Sequence, residues 1–185
     1  MSGKQDRRSQ RTRHLLGAAL VELIREKDYS TITVSDIIGR ANVGRSTFYA
    51  HYQDKDDLFV REMDRVIEAL SGHIPSQEEF PFFPSLGLFQ HVGEEYELYK
   101  ALVWGPGINL LIRHMQESLS HRIEQGLNKK EKEFDAPVPI LANFIAGSFL
   151  TLMKWWLENK RVYSPEEMDN MFKKLTLTGI EKMER

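Results

Sequence analysis

Apolar residues recur at helical spacing along nearly the whole chain. Leu16, Ala19, Leu20, Leu23 and Ile24 stand at i, i+3, i+4, i+7 and i+8, one stripe of a helix from about Thr12 to Lys27. After Asp28-Tyr29-Ser30, Thr33 is placed to cap a short helix, with Asp36 three residues on in the capping-box position. Val34, Ile37, Ile38 and Ala41 give that helix an inner face, and Asn42, tolerant of left-handed backbone, ends it. Gly44 opens a second short helix, Arg45 to about His51, in which Phe48 is the inward residue. Asp54, backed by Asp56 and Asp57, opens a fourth that carries Phe59, Met63, Val66, Ile67 and Leu70 to Ser71-Gly72.

From Ser71 to Ser85 the pattern breaks. Pro75, Pro81 and Pro84 stand among Phe80, Phe82 and Phe83, which predicts a linker or an irregular packed loop. Helices follow over 86–92 and 94–103, then a break at Gly105-Pro106-Gly107. A longer helix is striped by Ile108, Leu111, Ile112, Met115, Leu119, Ile123 and Leu127. After a charged loop at Lys129 to Glu133, two last helices run from about Val138 to Asn159 and from Ser164 or Pro165 to about Met183. The expectation is an all-α protein with a three-helix helix-turn-helix domain over 1–56 and a helical-bundle domain over 72–185, helix 54–71 connecting them.

Composition narrows the chemistry. With 185 residues, 41% of them apolar, the chain is long enough to bury a substantial core without staples. It has no cysteine, which excludes disulfides, thiolate metal sites and a cysteine nucleophile. The uncharged run 136–153 contains Pro137, Pro139, Asn143, Ser148 and Thr151 and falls short of the roughly 20 apolar residues of a membrane span. It predicts a buried helix and no membrane partner. The polar, basic beginning lacks a signal-sequence pattern, so a cytoplasmic location is expected.

The formal charge of -2 hides a gradient. Residues 1–13 carry Lys4, Arg7, Arg8, Arg11 and Arg13 against Asp6, a net of +4, and residues 61–185 carry -4. Basic residues gathered at one end suit an anionic partner, since Lys and Arg that neutralise phosphates supply most non-specific nucleic-acid affinity.

Two short helices joined by Asn42-Val43-Gly44 have the dimensions of a helix-turn-helix, whose second helix enters a major groove about 12 Å wide. The outward side of that second helix offers Arg45, Ser46, Thr47, Tyr49 and His51. Arg pairs bidentately with guanine, Ser and Thr reach base edges or phosphate, and Tyr reaches phosphate. Lys55 opens the next helix, where its charge opposes the local dipole, and an external anion would explain its placement.

The stretch Thr33 to Lys55, above all Ala41 to Tyr52 with Lys55 and Leu58-Phe59, resembles the DNA-binding signature of TetR-family transcriptional regulators. The resemblance covers residues 10–60. It implies that Arg45, Ser46 and Thr47 read or flank bases. Tyr49, His51 and Lys55 would clamp the backbone, helped by Thr33 and Ser35. Two positions depart from the pattern: Asn42 replaces the usual turn glycine, and Gly44 the usual Ser or Thr cap, which weakens one phosphate contact.

Asn143 to Gly147, Trp155-Trp156-Leu157 and Ser164 to Met168 are similar to the C-terminal domain of a TetR branch frequent in Firmicutes. That domain implies a helical unit for dimerisation and for a small-molecule effector, in a regulator that binds double-stranded DNA as a homodimer, usually as a repressor. In the family's usual mechanism the effector favours a conformer with altered separation of the two recognition helices.

Large apolar side chains on the last two helices mark a candidate interface: Phe149, Leu152, Met153, Trp155, Trp156, Met168, Met171 and Phe172. A simple monomer core is the alternative. Candidate pocket residues are Phe89, Tyr96, Tyr99, Trp104, His114, Asn143 and Phe144, with His114 or Asn143 as polar anchor. Aromatic residues at helical spacing serve equally as core. His114 and His121 are seven apart, too far for joint metal ligation, and no phosphate loop or nucleophile elbow occurs. No metal, cofactor or catalytic residue is expected. The rival function is a TetR-like co-regulator acting mainly through a protein partner.

Overall fold

Cap and break signals set the local geometry of the first sixty residues. In the computed structural model, which describes residues 2–71, 82–105, 108–129 and 134–181, the first helix, α1, runs Ser2–Glu26. It starts ten residues before the apolar stripe requires, through a segment rich in Arg and Gln, both good helix formers. At the break, Tyr29–Thr31 form a 3-10 turn in which the Asp28 carboxylate accepts from Ser30 N–H. Helix α2 spans Val34–Ala41. Its Thr33 hydroxyl accepts from Asp36 N–H, and the Asp36 carboxylate accepts from Thr33 N–H, a complete capping box. Asn42 ends it at φ 50, ψ 48, the left-handed conformation asparagine adopts at low cost.

Helix α3, Arg45–Tyr49, starts at Gly44, and helical hydrogen bonding continues to Tyr52 N–H. Helix α4, Lys55–Ser71, is capped by Asp54, whose carboxylate accepts from Asp57 N–H at 2.8 Å. The bundle follows as α5 Ser85–Glu94, α6 Tyr96–Val103, α7 Ile108–Lys129, α8 Val138–Glu158 and α9 Pro165–Glu181. Among the described residues these nine α-helices account for the regular structure, with no strand. The expected linker over 72–81, Pro106-Gly107, the charged segment 130–133 and the approach to Met183 lie outside the described residues.

The bundle is centred on aromatic rings from three helices and the segment before α5. Phe83 precedes α5, Phe89 lies on α5, Phe149 and Trp156 on α8 and Phe172 on α9, in edge-to-face or tilted pairs with centroids 4.9–6.0 Å apart. The Trp156 indole donates to the Tyr163 carbonyl at 2.8 Å, so its one polar atom is satisfied. Helix α8 is long and apolar enough to cross a membrane by composition, but half of that apolar stretch is buried against its neighbours. It is the bundle's central helix, packed along α7.

The apolar core is continuous from Leu16 to Phe172. Helices α4 and α1 join the N-terminal unit to the bundle. Helix α4 sends Met63 and Ile67 into the shared core, and α1 packs on α6, where Arg25 pairs with Glu95. Displacement of α4 therefore moves the helix-turn-helix with it.

Candidate nucleic-acid interface

A five-residue helix has almost no stability of its own, so α3 exists because it is anchored. Phe48 is the anchor: it is fully buried, edge-on to Tyr49 at 5.4 Å and tilted against Tyr52 at 5.8 Å. The opposite side faces outward. Arg45, Ser46 and Tyr49 are exposed and Thr47 is half-buried, while the Arg45 guanidinium lies 5.9 Å from the Tyr49 ring centre. This leaves a polar, uncovered surface one helix wide. His51 is partly exposed, and burial, reinforced by the Arg13 charge, lowers its pKa.

At the head of α2, Ser35 is exposed, and Thr33 is exposed with its hydroxyl engaged by Asp36. The Asp36 carboxyl is held well below the usual range by Lys27 and then by Thr33.

Lys55 requires a correction. Its ammonium donates to the carbonyls of Tyr29 at 2.8 Å, Ser30 at 3.3 Å and Ile32 at 2.9 Å, and lies 4.6 Å from the Tyr29 ring centre. Three acceptors match its three donors. The charge that opposes the α4 dipole is thus met within the chain by carbonyls of the 3-10 turn and of Ile32. Lys55→Met is expected to lower stability by about 1–2 kcal/mol in urea titration, from loss of charge-assisted hydrogen bonds. The salt dependence of DNA binding should be unchanged; a slope lower by roughly 0.9 per subunit would return Lys55 to the phosphate contacts.

Residues not singled out from the sequence fasten this unit together. Arg40 on α2 bridges Glu26 and Glu22 on α1, and Arg65 on α4 donates to the Tyr52 hydroxyl at 2.8 Å. Tyr52 follows directly on α3, so Arg65 ties the recognition segment to α4. Glu62 lies against Gly17 of α1, where an added Cβ would sit 2.5 Å from the carboxylate carbon. Burial pushes the Glu62 carboxyl up, opposed by Arg65 and His14. The glycine inside the α1 stripe was the sequence signal for this close approach.

In the bundle, a narrow crevice of about 50 Å³ lies between α4, α5, α6, α7 and α8. Met63, Val66 and Ile67 of α4 form one wall, opposite Phe149, Leu150 and Met153, with Lys154 as the one charged lining residue. Of the seven pocket residues expected from the sequence, Tyr99 alone lines it. Phe89 is sealed in the aromatic core, and Trp104 is 56% exposed. Tyr96 lies under Arg161, whose guanidinium is 4.1 Å from its ring centre. His114 is hydrogen-bonded to Asp64 at 2.9 Å across α4 and α7. Asn143 accepts from Gln116 of α7, and Phe144 is 63% exposed on the outer side of α8.

The expected interface residues also divide. Phe149, Met153, Trp156, Met168 and Phe172 are buried inside the single chain and cannot form an outer face. Trp155 and Met171 are exposed and Leu152 is half-buried. The outer apolar face is instead Ile140, Phe144 and Trp155 on α8 beside Met171 and Leu175 on α9, the last 71% exposed. A groove lined by Phe144, Gly147, Thr151, Leu152 and Leu175 runs between the two helices.

A tight two-helix turn with an uncovered polar face, joined to a helical bundle by a shared core, defines a helix-turn-helix DNA-binding transcriptional regulator. Comparison with known families places it more narrowly. Residues 16–61 match the bacterial regulatory proteins of the tetR family, and residues 85–178, more than half of the chain, match a transcriptional regulator C-terminal region of the same family. The chain belongs to the TetR family.

It is 27% identical over 176 residues to the HTH-type transcriptional regulator YxbF of Bacillus subtilis, covering 90% of this chain and 45% of that protein. The chain thus spans about half the length of the curated relative it matches. Among solved structures, a TetR transcriptional regulator of Streptococcus agalactiae shares 28% identity at a TM-score of 0.67, over 95% of this chain and 99% of that one. The fold is also that of FadR from Bacillus subtilis, solved with stearoyl-CoA, at 20% identity, TM-score 0.60, and 90% and 98% coverage.

Proposed function

We propose that the chain is a homodimeric, effector-responsive repressor that binds a pseudo-palindromic operator in the cytoplasm. The observation that carries this reading is the uncovered face of α3, with Arg45, Ser46 and Tyr49 exposed while Phe48 fixes the helix from behind. Arg45, Ser46 and Thr47 face the bases; Tyr49, His51 and Ser35 face the phosphates, and Thr33, whose hydroxyl donates to Asp36, reaches them only by releasing that bond. The apolar outer face of α8 and α9 supports pairing with a second copy, which places two recognition helices on successive major-groove faces about 34–36 Å apart. A dimer seated there represses by occupying the promoter.

The crevice supports the effector half of the reading. Ligand pockets usually measure about 300–1,000 Å³, several times this volume, so a bound effector has to part the helices. The wall that yields includes α4, which moves the helix-turn-helix and changes the half-site separation. An effector that prefers the parted conformer therefore releases DNA. The lining suits a ligand with an extended apolar body and an anionic end that competes with Glu158 for Lys154; a long-chain carboxylate has that chemistry.

The test is selection of bound duplexes from a random pool, followed by titration of the selected site. A two-fold related consensus is the expected result, and recovery of no consensus sinks the reading. Arg45→Ala should cost about 1–3 kcal/mol on the selected site and relax preference at one base pair per half-site. Equal weakening on selected and random duplexes would make Arg45 a phosphate contact only.

A further inference from the structure

Helix α1 is longer than its packing needs. The helix begins at Ser2, yet among its described side chains none from Arg7 to Leu15 is buried and Leu16 is the first that is, so the turns from Arg7 to Leu15 stand clear of the core. Arg7, Arg8 and Arg11 on those turns are exposed. At 3.6 residues per turn the three fall within an arc of about 100°, at mutual spacings that bring like charges together. Among the described residues none of these three guanidiniums has a carboxylate partner. Such a face is electrostatically unfavourable for the free protein and becomes favourable against an anion.

The position of the face points to the anion. Gly17, one residue into the buried part of α1, abuts Glu62 of α4, which pairs with Arg65 at 2.8 Å, and Arg65 donates to the Tyr52 hydroxyl at 2.8 Å. The free end of α1 therefore leaves the three-helix unit beside the last turn of the recognition segment. From Arg13 to Arg7 the helix advances about 9 Å, and a duplex carries one charge per roughly 1.7 Å of axis. Several phosphates lie within that advance.

We propose that the basic face of α1, through Arg7, Arg8 and Arg11, seats on duplex phosphates just outside the half-site occupied by α3. Each subunit then covers more DNA than its recognition helix spans. This rests on the DNA-binding reading above.

The experiment uses the full chain and a duplex selected from the random pool, in one form trimmed to the two half-sites and in another with ten extra base pairs on each side. Binding is measured against salt for the wild type and for R7Q/R8Q/R11Q, which keeps helix-forming residues. The wild type is expected to bind the longer duplex more tightly and with a steeper salt slope. The triple variant should lose up to about 5 from that slope, at roughly 0.9 per contact and three contacts per subunit, while its preference for selected over random sequence stays the same.

Equal slopes for the two proteins on the longer duplex overturn the proposal and leave the DNA-binding reading intact. So does a wild type indifferent to duplex length, a result that does not depend on the variant folding. A triple variant that keeps its DNA slope but loses binding to phosphatidylglycerol vesicles reassigns the face to a membrane surface. A wild type that binds no duplex sinks the DNA-binding reading and this one together.

Discussion

A chain carrying both Phe144→Asp and Leu175→Glu is expected to elute as a monomer and to bind a two-half-site duplex about 10²–10⁴-fold more weakly than the parent. Phe144 and Leu175 lie in or beside one groove of the α8–α9 face and are 63% and 71% exposed in the single chain. New carboxylates therefore meet water in the monomer and cost little folding stability. Against a second copy, the same carboxylates would be buried without partners, and association would fail. Once subunits separate, the second half-site is no longer engaged intramolecularly, and avidity is lost without a change at α3. Binding to a duplex with one half-site should be unchanged. Gel filtration coupled to light scattering and a DNA titration read both effects, with thermal unfolding as the control. A double variant that stays dimeric, or a monomer that binds with the parent's affinity, removes the interface from the mechanism.

That face also shows where the sequence stopped being informative. Helix α8 is apolar around much of its circumference: Ile145, Phe149 and Trp156 point into the bundle, while Ile140, Phe144 and Trp155 point out. Periodicity separates an apolar stripe from a polar one, but it does not tell a core-facing stripe from an interface-facing one when both sides are apolar. Phe149 and Phe172, expected at an interface with core as the alternative, are buried within the single chain. Asn143 and Phe144, expected in a pocket inside the bundle, line the outer groove between α8 and α9.

The helix-turn-helix was far more legible, because its signals are local. The Thr33–Asp36 capping box and the left-handed Asn42 each depend on residues at most three apart. Lys55 is the instructive exception. Its partners are carbonyls at 29, 30 and 32, more than twenty residues upstream, and they become neighbours only once α4 folds back on the 3-10 turn. Local structure leaves the Lys55 charge opposed by the α4 dipole; a tertiary set of carbonyl acceptors offsets it. The crevice was illegible for a similar reason, since its wall combines α4 with helices up to about ninety residues later in the chain.

Phe48→Ala is expected to abolish specific DNA binding while most of the helical structure persists. Truncating a fully buried Phe costs about 3–5 kcal/mol, against a total stability of about 5–15 kcal/mol for a domain. The loss falls on the element least able to bear it. Helix α3 has five residues, no side-chain cap at Gly44, and two ring contacts through Phe48 to hold it. Arg65 and Tyr52 remain to tether its end to α4, but they fix position, not the rotation that keeps Arg45 and Tyr49 facing outward. A cost of 3 kcal/mol already corresponds to roughly a 10²-fold loss of the binding-competent state. The aromatic cluster of the bundle shares no ring contact with Phe48, so far-UV ellipticity at 25 °C should stay near the wild-type value. Phe48→Leu, which refills most of the volume, should recover most of the affinity. An alanine variant that binds its selected duplex as the wild type does would show that the outward face of α3 is not fixed from behind.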